Sequence, residues 1–179
     1  MQNPRKELQK SMQFLVSLFH GMEKAGTVAD RISYRAGQNL GKEYSIGAKT
    51  TQDSLEAIGI VKDILYKKGF KWNFEAWKQA NQPSYIEERE PGKKIIKLVF
   101  RDCMIRQSLF VYGHEQKKSL CQIMYGFFSG AMEKVLNKKC TLEILHTGEN
   151  ACLKALILEE RFRQNTKICF DEGANHDPS

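Results

Sequence analysis

The stretch Thr141-Leu-Glu-Ile-Leu-His-Thr-Gly-Glu-Asn-Ala-Cys-Leu-Lys-Ala-Leu-Ile-Leu158 decides the fold predicted for this chain. Its two apolar halves, on either side of residues 147–151, have the length and the aliphatic content of β-strands. A short glycine-containing loop between two strands indicates a β-hairpin. If five residues close this hairpin, His146 stands directly opposite Cys152, and the two side chains share one face of the sheet.

A long predicted helix and two more predicted strands precede the hairpin. The helix covers residues 115–136, where apolar side chains recur at helical spacing. The strands cover residues 70–77 and 94–100, and the polar segment between them, residues 81–92, contains two prolines and is predicted to be a loop. Three further helices lie nearer the N-terminus. This order predicts an α+β fold, with an antiparallel four-stranded sheet packed against several helices.

The second of those helices, predicted over residues 27–45 with Thr27 as its N-cap, carries a pair of glycines. Gly37 and Gly41 lie four residues apart, although glycine weakens a helix. A pair at this spacing predicts that another element approaches the helix closely there. The predicted apolar face of the helix comprises Ile32, Ala36 and Leu40.

The first helix, predicted over residues 4–24, has a narrow apolar seam like that of a coiled coil. The seam residues, in alternating steps of four and three, are Leu8, Met12, Leu15, Phe19 and Met22. Such a seam predicts either contact with a second copy of the chain, giving a homodimer, or docking on the chain's own domain. The third helix is predicted to end before Gly69, and its capping candidates are Thr50, Thr51 and Asp53.

Length and composition are typical of one globular domain. The chain has 179 residues, of which 41% are hydrophobic and 27% charged. We divide it into an N-terminal helix, residues 1–25, which could mediate dimerisation, a ligand-binding domain, residues 26–160, and a polar tail, residues 161–179. No apolar run is long enough to span a bilayer, and the N-terminus lacks the apolar stretch of a signal peptide, so we expect a cytoplasmic protein.

Charge and cysteine content limit the kinds of partner and cofactor that the chain is expected to bind. The net charge of +7 is spread over the chain in lysine pairs, which is typical of a solvated surface. Without a recognisable helix-turn-helix or zinc-finger module, no direct nucleic-acid binding is expected. Five cysteines, an odd number, argue against a disulfide framework in a cytoplasmic protein of this size and favour buried thiols or metal ligands.

A zinc site is predicted in the last third of the chain, because thiolate, imidazole and carboxylate groups are the ligands that zinc takes in proteins. The candidate ligands are Cys121, Glu143, His146 and Cys152. The start of the long helix would stabilise a thiolate at Cys121. Glu143 and His146 are three residues apart, so a regular strand directs them to opposite faces and only a β-bulge would bring them together. Cys140 or Cys103 could complete the site instead, and the alternative is a set of ordinary buried thiols.

The runs Cys121–Gly130, CQIMYGFFSG, and Leu142–Cys152, LEILHTGENAC, resemble the signature of the 4-vinyl reductase domain family. The resemblance implies a fold shared with small subunits of the vesicle-tethering TRAPP complexes, with an apolar pocket between sheet and helices. In the phenol-sensing activators that carry this domain, an aromatic effector binds beside a zinc ion held by Cys, Glu, Cys and Cys. Carried over to this chain, Cys121, Glu143 and Cys152 match three of those ligands, and His146 stands at the remaining position.

The resemblance implies a domain that binds a small hydrocarbon, aromatic or other apolar ligand, carries a structural zinc and acts in sensing or regulation. The predicted ligand-binding side chains are Trp72, Phe74, Phe100, Phe110, Tyr112, Phe127 and Phe128. The alternatives are that these side chains only fill the core, and that the protein is a dimeric scaffold or an accessory factor in tetrapyrrole vinyl reduction. Neither a dinucleotide-binding turn nor a nucleophile–base arrangement is recognisable, so an enzyme is the less favoured class.

Overall fold

The computed structural model describes residues 4–69, 72–101, 103, 105, 116–148 and 150–159, with the backbone alone for residues 4–12 and 16. Its helices are α1 (Pro4–Glu23), α2 (Thr27–Tyr44), α3 (Ser54–Lys67) and α4 (Ser119–Leu136). Its strands are β1 (Asn73–Trp77), β2 (Ile86–Glu90), β3 (Lys93–Arg101), β4 (Lys139–Thr147) and β5 (Ala151–Glu159). None of the helices in these ranges is long and apolar enough to cross a membrane.

The strands form one antiparallel sheet in the order β1-β3-β5-β4, which confirms the predicted α+β fold. The predicted number of strands was too low by one. Ile86–Glu90, in the segment predicted to be a polar loop, is strand β2 and pairs with the first half of β3, on the edge that β1 occupies further along. Its sequence, IEERE, lacks the apolar alternation of a half-buried strand. Charged side chains are common on edge strands, and this strand is held by its backbone pairing with β3.

The core lies between the sheet and helices α3 and α4. At its centre three fully buried aromatic rings contact one another. Phe74 stacks on Phe100 at a centroid distance of 5.2 Å, and Phe128 of α4 meets both rings edge-on, at 5.1 and 5.4 Å. Each such pair contributes about 0.5–1.5 kcal/mol beyond the burial of its area. This cluster fixes α4 over the middle of the sheet.

Helices α2 and α4 meet at four glycines, as the Gly37–Gly41 spacing predicted. A Cβ atom added to Gly37 or Gly41 would lie 2.0 Å from a backbone carbonyl oxygen of α4. One added to Gly126 or Gly130 would lie 1.9 or 2.0 Å from a carbonyl oxygen of α2. The contact is therefore backbone against backbone, and no side chain could be accommodated in it.

The predicted apolar face of α2 was wrong. Ile32 and Leu40 are 55% and 40% exposed, and the face of α2 that packs on α4 comprises Ala29, Ser33, Gly37, Gln38 and Gly41. Closeness of approach, rather than apolar volume, determines which side of this helix is buried. The predicted N-cap of α2 was also displaced by one residue, because Gly26 occupies that position and Thr27 begins the helix.

A buried hydroxyl connects this helix pair to the sheet. Ser129 on α4 accepts hydrogen bonds from the Tyr34 hydroxyl, at 2.9 Å, and from the backbone N–H of Leu142 in β4, at 2.9 Å. It donates its own proton to the carbonyl oxygen of Tyr125, at 2.8 Å. One serine thus satisfies two donors from different elements.

Candidate ligand cavity and the lysine–cysteine cluster

An apolar cavity lies where α2, α3 and α4 approach Trp72. It is partly enclosed and has a volume of about 150 Å³. Its lining residues are Leu40, Tyr44, Leu65, Trp72, Ile105, Ile123, Met124 and Phe127. An apolar cavity of this volume holds a molecule about as large as benzene.

Of the side chains predicted to bind a ligand, Trp72 and Phe127 line this cavity, with their rings edge to face at a centroid distance of 5.9 Å. Phe74, Phe100 and Phe128 do not line it, because they form the aromatic cluster of the core. Phe110 and Tyr112 lie outside the described residues. The remaining wall consists of Tyr44, Met124 and aliphatic side chains, which look like ordinary core residues in sequence.

Trp72 adds one polar group to this wall. Its indole Nε1–H is buried and has no hydrogen-bond acceptor within the part of the chain that the structure describes. A buried donor without an acceptor is destabilising, and native structures contain few of them. A ligand with an acceptor atom would relieve this cost.

A second and smaller cavity, of about 20 Å³, lies beside the first, between the start of α4 and the β4–β5 hairpin. Its lining residues are Cys103, Ile105, Gln116, Cys121, Met124, Tyr125, Thr147, Cys152 and Lys154. Three cysteines that are far apart in sequence therefore share one space. We call Lys154 together with Cys103, Cys121 and Cys152 the lysine–cysteine cluster.

Lys154 is the member of this cluster that sequence reasoning missed. It lies on the core-facing side of β5 and is 1% exposed. Its Nζ is 3.3 Å from the Met124 thioether sulfur, 4.1 Å from the centroid of the Phe100 ring and 4.7 Å from that of Tyr125. Burial lowers the pKa of Lys154 to about 8, although the surrounding thiols favour its charged form. The ring faces stabilise the ammonium by about 0.5–2 kcal/mol each.

The signal that could have found Lys154 is its place in the hairpin. Cys152, Leu156 and Leu158 share its parity in β5, so a regular strand directs Lys154 inward with them. A lysine at an inward position of an otherwise aliphatic strand is unusual, because lysine is rarely fully buried.

Cys121 of the cluster is held as a thiol. Burial raises the pKa of Cys121, and this effect exceeds the opposing effects of a backbone hydrogen bond at Lys117 and the charge of Lys154. The predicted stabilisation of a Cys121 thiolate by the start of α4 is therefore outweighed by desolvation. Burial likewise raises the pKa of the Tyr125 hydroxyl, which lies beside the same thiols.

The four predicted zinc ligands are not brought together. Strand β4 contains a β-bulge between Ile144 and His146, and it places Glu143 and His146 on the same face, as the zinc prediction required. That face is the outer one, because their cross-strand partners, Ala155 and Leu153, alternate with the inward-facing residues of β5. Both side chains are exposed there, and the sheet separates them from Cys121 and Cys152.

The predicted pairing of His146 with Cys152 was also wrong, because His146 pairs with Leu153, and Thr147 is the residue opposite Cys152. Cys140 is buried in the core away from the cluster, whereas Cys103 lies within it. Among the residues with described side chains, no three metal-binding groups are close enough together to hold an ion. The predicted set of Cys121, Glu143, His146 and Cys152 therefore does not fit a single zinc ion.

Fold and site together define an α+β domain with a partly enclosed apolar cavity and an adjoining cluster of one lysine and three cysteines. No family model matches the chain, so the resemblance to the 4-vinyl reductase domain stays a prediction. No curated protein sequence matches it either. Among solved structures, it is similar to the phenol-responsive sensory domain of the transcription activator PoxR, crystallised with phenol. That match has a TM-score of 0.47 and 16% sequence identity, and covers 86% of this chain and 73% of that one.

Proposed function

We propose that this protein binds a small apolar molecule in the cavity of about 150 Å³ and serves as a sensory or regulatory domain. The observation that carries the proposal is an apolar cavity with one buried donor, the Trp72 indole N–H, left without an acceptor in the described structure. Small-molecule sites typically combine apolar walls with a few polar groups that orient the ligand. The wall is formed by three helices, so a bound ligand would bias their relative arrangement, which is what a sensor requires.

Thermal denaturation with benzene-sized ligands, toluene and phenol, tests this function. A ligand present at a hundredfold excess over its dissociation constant stabilises the native state by about 2.7 kcal/mol. For a domain of this size that corresponds to a rise in melting temperature of roughly 5–10 °C. No shift with any such ligand would refute the proposal.

A matched pair of variants locates the site. Leu40→Phe adds volume at the cavity wall, and Leu55→Phe makes the same change on α3 outside it, where the leucine is almost equally exposed, at 39% against 40%. We expect Leu40→Phe to abolish the ligand-induced shift and Leu55→Phe to retain it. Equal shifts in both variants would place binding elsewhere.

The first helix supports a second proposal, that the chain forms a homodimer of the scaffold type. Phe14, Leu15 and Leu18 are 68%, 45% and 50% exposed, and Val28 and Ile32 of α2 are also exposed. Of the predicted seam, Phe19 and Met22 are half-buried, and Leu8 and Met12 lie outside the described side chains. Light scattering should show a dimer that Leu15→Asp dissociates and Ile46→Asp, a change at another exposed apolar residue, does not. A monomeric native protein would exclude the dimer.

A structural zinc and a cytoplasmic location stay predictions. The thiols available to a zinc ion are those of Cys103, Cys121 and Cys152, and they share their space with the Lys154 ammonium, which repels a divalent cation. Elemental analysis of the native protein beside Cys152→Ser decides the matter. One zinc per chain that is lost in the variant would establish the site, and native protein free of metal would remove zinc from the proposal.

A further inference from the structure

Among the residues that the structure describes, the buried cation Lys154 has no strong hydrogen-bond acceptor. At 1% exposure its ammonium cannot reach solvent, and its one hydrogen bond within the described residues goes to the thioether sulfur of Met124. A lysine ammonium has three N–H donors, and a thioether is a weak acceptor. The faces of Phe100 and Tyr125 attract its charge, but neither ring replaces an oxygen acceptor.

The position of Lys154 links it to the apolar cavity. Met124 and Ile105 line both that cavity and the small one that contains the lysine–cysteine cluster. The wall between the two spaces therefore includes Met124, whose unbranched thioether side chain adapts easily to a new packing arrangement. Rotation of this side chain away from Nζ would open one space to the other.

The size of the small cavity limits what Lys154 can receive. Its volume of about 20 Å³ is roughly that needed for one water molecule. One oxygen atom therefore fits, whereas a carboxylate or a phosphate group does not. The other polar side chains of the lining, which are three thiols, two hydroxyls and one amide, are uncharged, so the ammonium is the group that attracts an incoming oxygen atom most strongly.

We propose that the two cavities form a single ligand site, in which Lys154 donates a hydrogen bond to the one oxygen atom of an otherwise apolar ligand. The ligand class is then a benzene-sized molecule with a hydroxyl, phenolate or carbonyl oxygen, rather than a pure hydrocarbon. The inference rests on the proposed function, because the apolar part of the ligand occupies the cavity beside Trp72. The donors that line the two cavities include the Trp72 indole and the Tyr44 hydroxyl, and the proposal assigns the oxygen to Lys154, the charged one among the described lining residues.

Calorimetric titration with phenol and toluene tests the assignment, because the two molecules differ by a hydroxyl in place of a methyl group. We expect the native protein to prefer phenol by about tenfold to a hundredfold, the usual effect of a hydrogen bond to a charged group. Lys154→Met should lose that preference through weaker phenol binding, with toluene affinity changed by about twofold or less. Trp72→Phe should keep most of it.

The same variant separates a binding role from a structural one. Methionine replaces a buried ammonium by an apolar side chain of similar length, so Lys154→Met should be as stable as the native protein or more stable. A clear loss of stability together with an unchanged phenol preference would show that Lys154 stabilises the fold and has no role in ligand recognition. If Lys154→Met does not fold, Lys154→Gln, which keeps N–H donors without the charge, carries the test and should show a reduced preference.

The outcomes distinguish the inference from the function beneath it. If phenol and toluene bind but Lys154→Met and Lys154→Gln keep the native preference, the inference is overturned and the proposed function stands. The same holds if Trp72→Phe alone removes the preference. If neither compound binds the native protein, the inference and the proposed function are both refuted. A water molecule held permanently by Lys154 would appear as equal affinity for phenol and toluene, which also overturns the inference.

Discussion

Replacing Gly41 by alanine should separate α2 from α4. The new Cβ would lie 2.0 Å from the carbonyl oxygen of Phe127, and ordinary contact begins near 3.4 Å, so the backbones must move apart by about 1.4 Å. The opposing atoms belong to the backbone, so no side-chain rotation relieves the clash. The same movement loosens the contacts at Gly37, Gly126 and Gly130, which lie along the same crossing.

The expected loss of stability follows from two destabilising effects and one that offsets them in part. Overpacking of a close contact costs about 1–3 kcal/mol, and the strain here falls at the upper end because the backbone itself must shift. Loosening of the neighbouring contacts adds to this, and the better helix propensity of alanine offsets about 1 kcal/mol. We therefore expect Gly41→Ala to lower the free energy of unfolding by roughly 2–4 kcal/mol.

Chemical denaturation of Gly41→Ala beside Gly59→Ala measures this difference. Gly59 lies in α3 with no atom within 4 Å of its added Cβ, so the same substitution there should stabilise the protein by about 0.5–1 kcal/mol. Opposite signs for the two variants would support the close helix crossing. If Gly41→Ala were as stable as the native protein, the helices could not be in backbone contact, and the argument from the glycine spacing would be refuted.

Three further outcomes follow from buried groups. Ser129→Ala removes the acceptor for the buried N–H of Leu142 and the half-buried hydroxyl of Tyr34, and should cost about 1–3 kcal/mol by denaturation. Ser119→Ala should be neutral or slightly stabilising, because that hydroxyl has no partner among the described residues. Similar losses for the two serines would contradict the described hydrogen bonds. Cys140, whose pKa burial raises to about 12, should resist alkylation at neutral pH in the native protein, while the half-buried Cys152 reacts, as mass spectrometry of labelled peptides can show. Rapid labelling of Cys140 in folded protein would count against its burial. A zinc content that stays the same in Cys152→Ser would remove that residue from any metal site.

The sequence predicted those parts of the fold that depend on local pattern. Two apolar segments and the glycine-containing loop between them identified the β4–β5 hairpin. Of the three residues predicted as candidates to cap α3, Asp53 does so, because its side chain accepts hydrogen bonds from the backbone N–H groups of Leu55 and Glu56. Gly69 follows the last turn of that helix with a positive φ of 87°, as predicted. The strand β2 was missed because its pairing with β3 depends on a neighbour rather than on its own composition. The buried face of α2 was missed because glycine carries no apolar signal.

The candidate site was predictable only in part, because some of its features depend on local pattern and others on neighbouring strands. Cys121 and Cys152 do share one cavity, because helix and hairpin bring them together, and Trp72 and Phe127 do line another. The face of the sheet on which a residue of β4 lies depends on its register with β5. That register could not be predicted from the spacing of residues along β4, because the strand contains a β-bulge. Lys154 was overlooked because residue type alone assigns lysine to the surface, whereas its parity with Cys152, Leu156 and Leu158 in β5 directs it inward.

The bulge in β4 also affects how the length of this strand should be counted. Leu145 has no partner in β5, while Ile144 pairs with Lys154 and His146 with Leu153, which are neighbours. A chain lacking Leu145 could therefore keep each of these pairings in an uninterrupted ladder. Leu145 is a single-residue insertion in geometric terms, and a homologue one residue shorter here would carry the same inner surface. Spacing rules applied to this hairpin should accordingly be measured from β5, whose pairing with β3 has no register shift along its length.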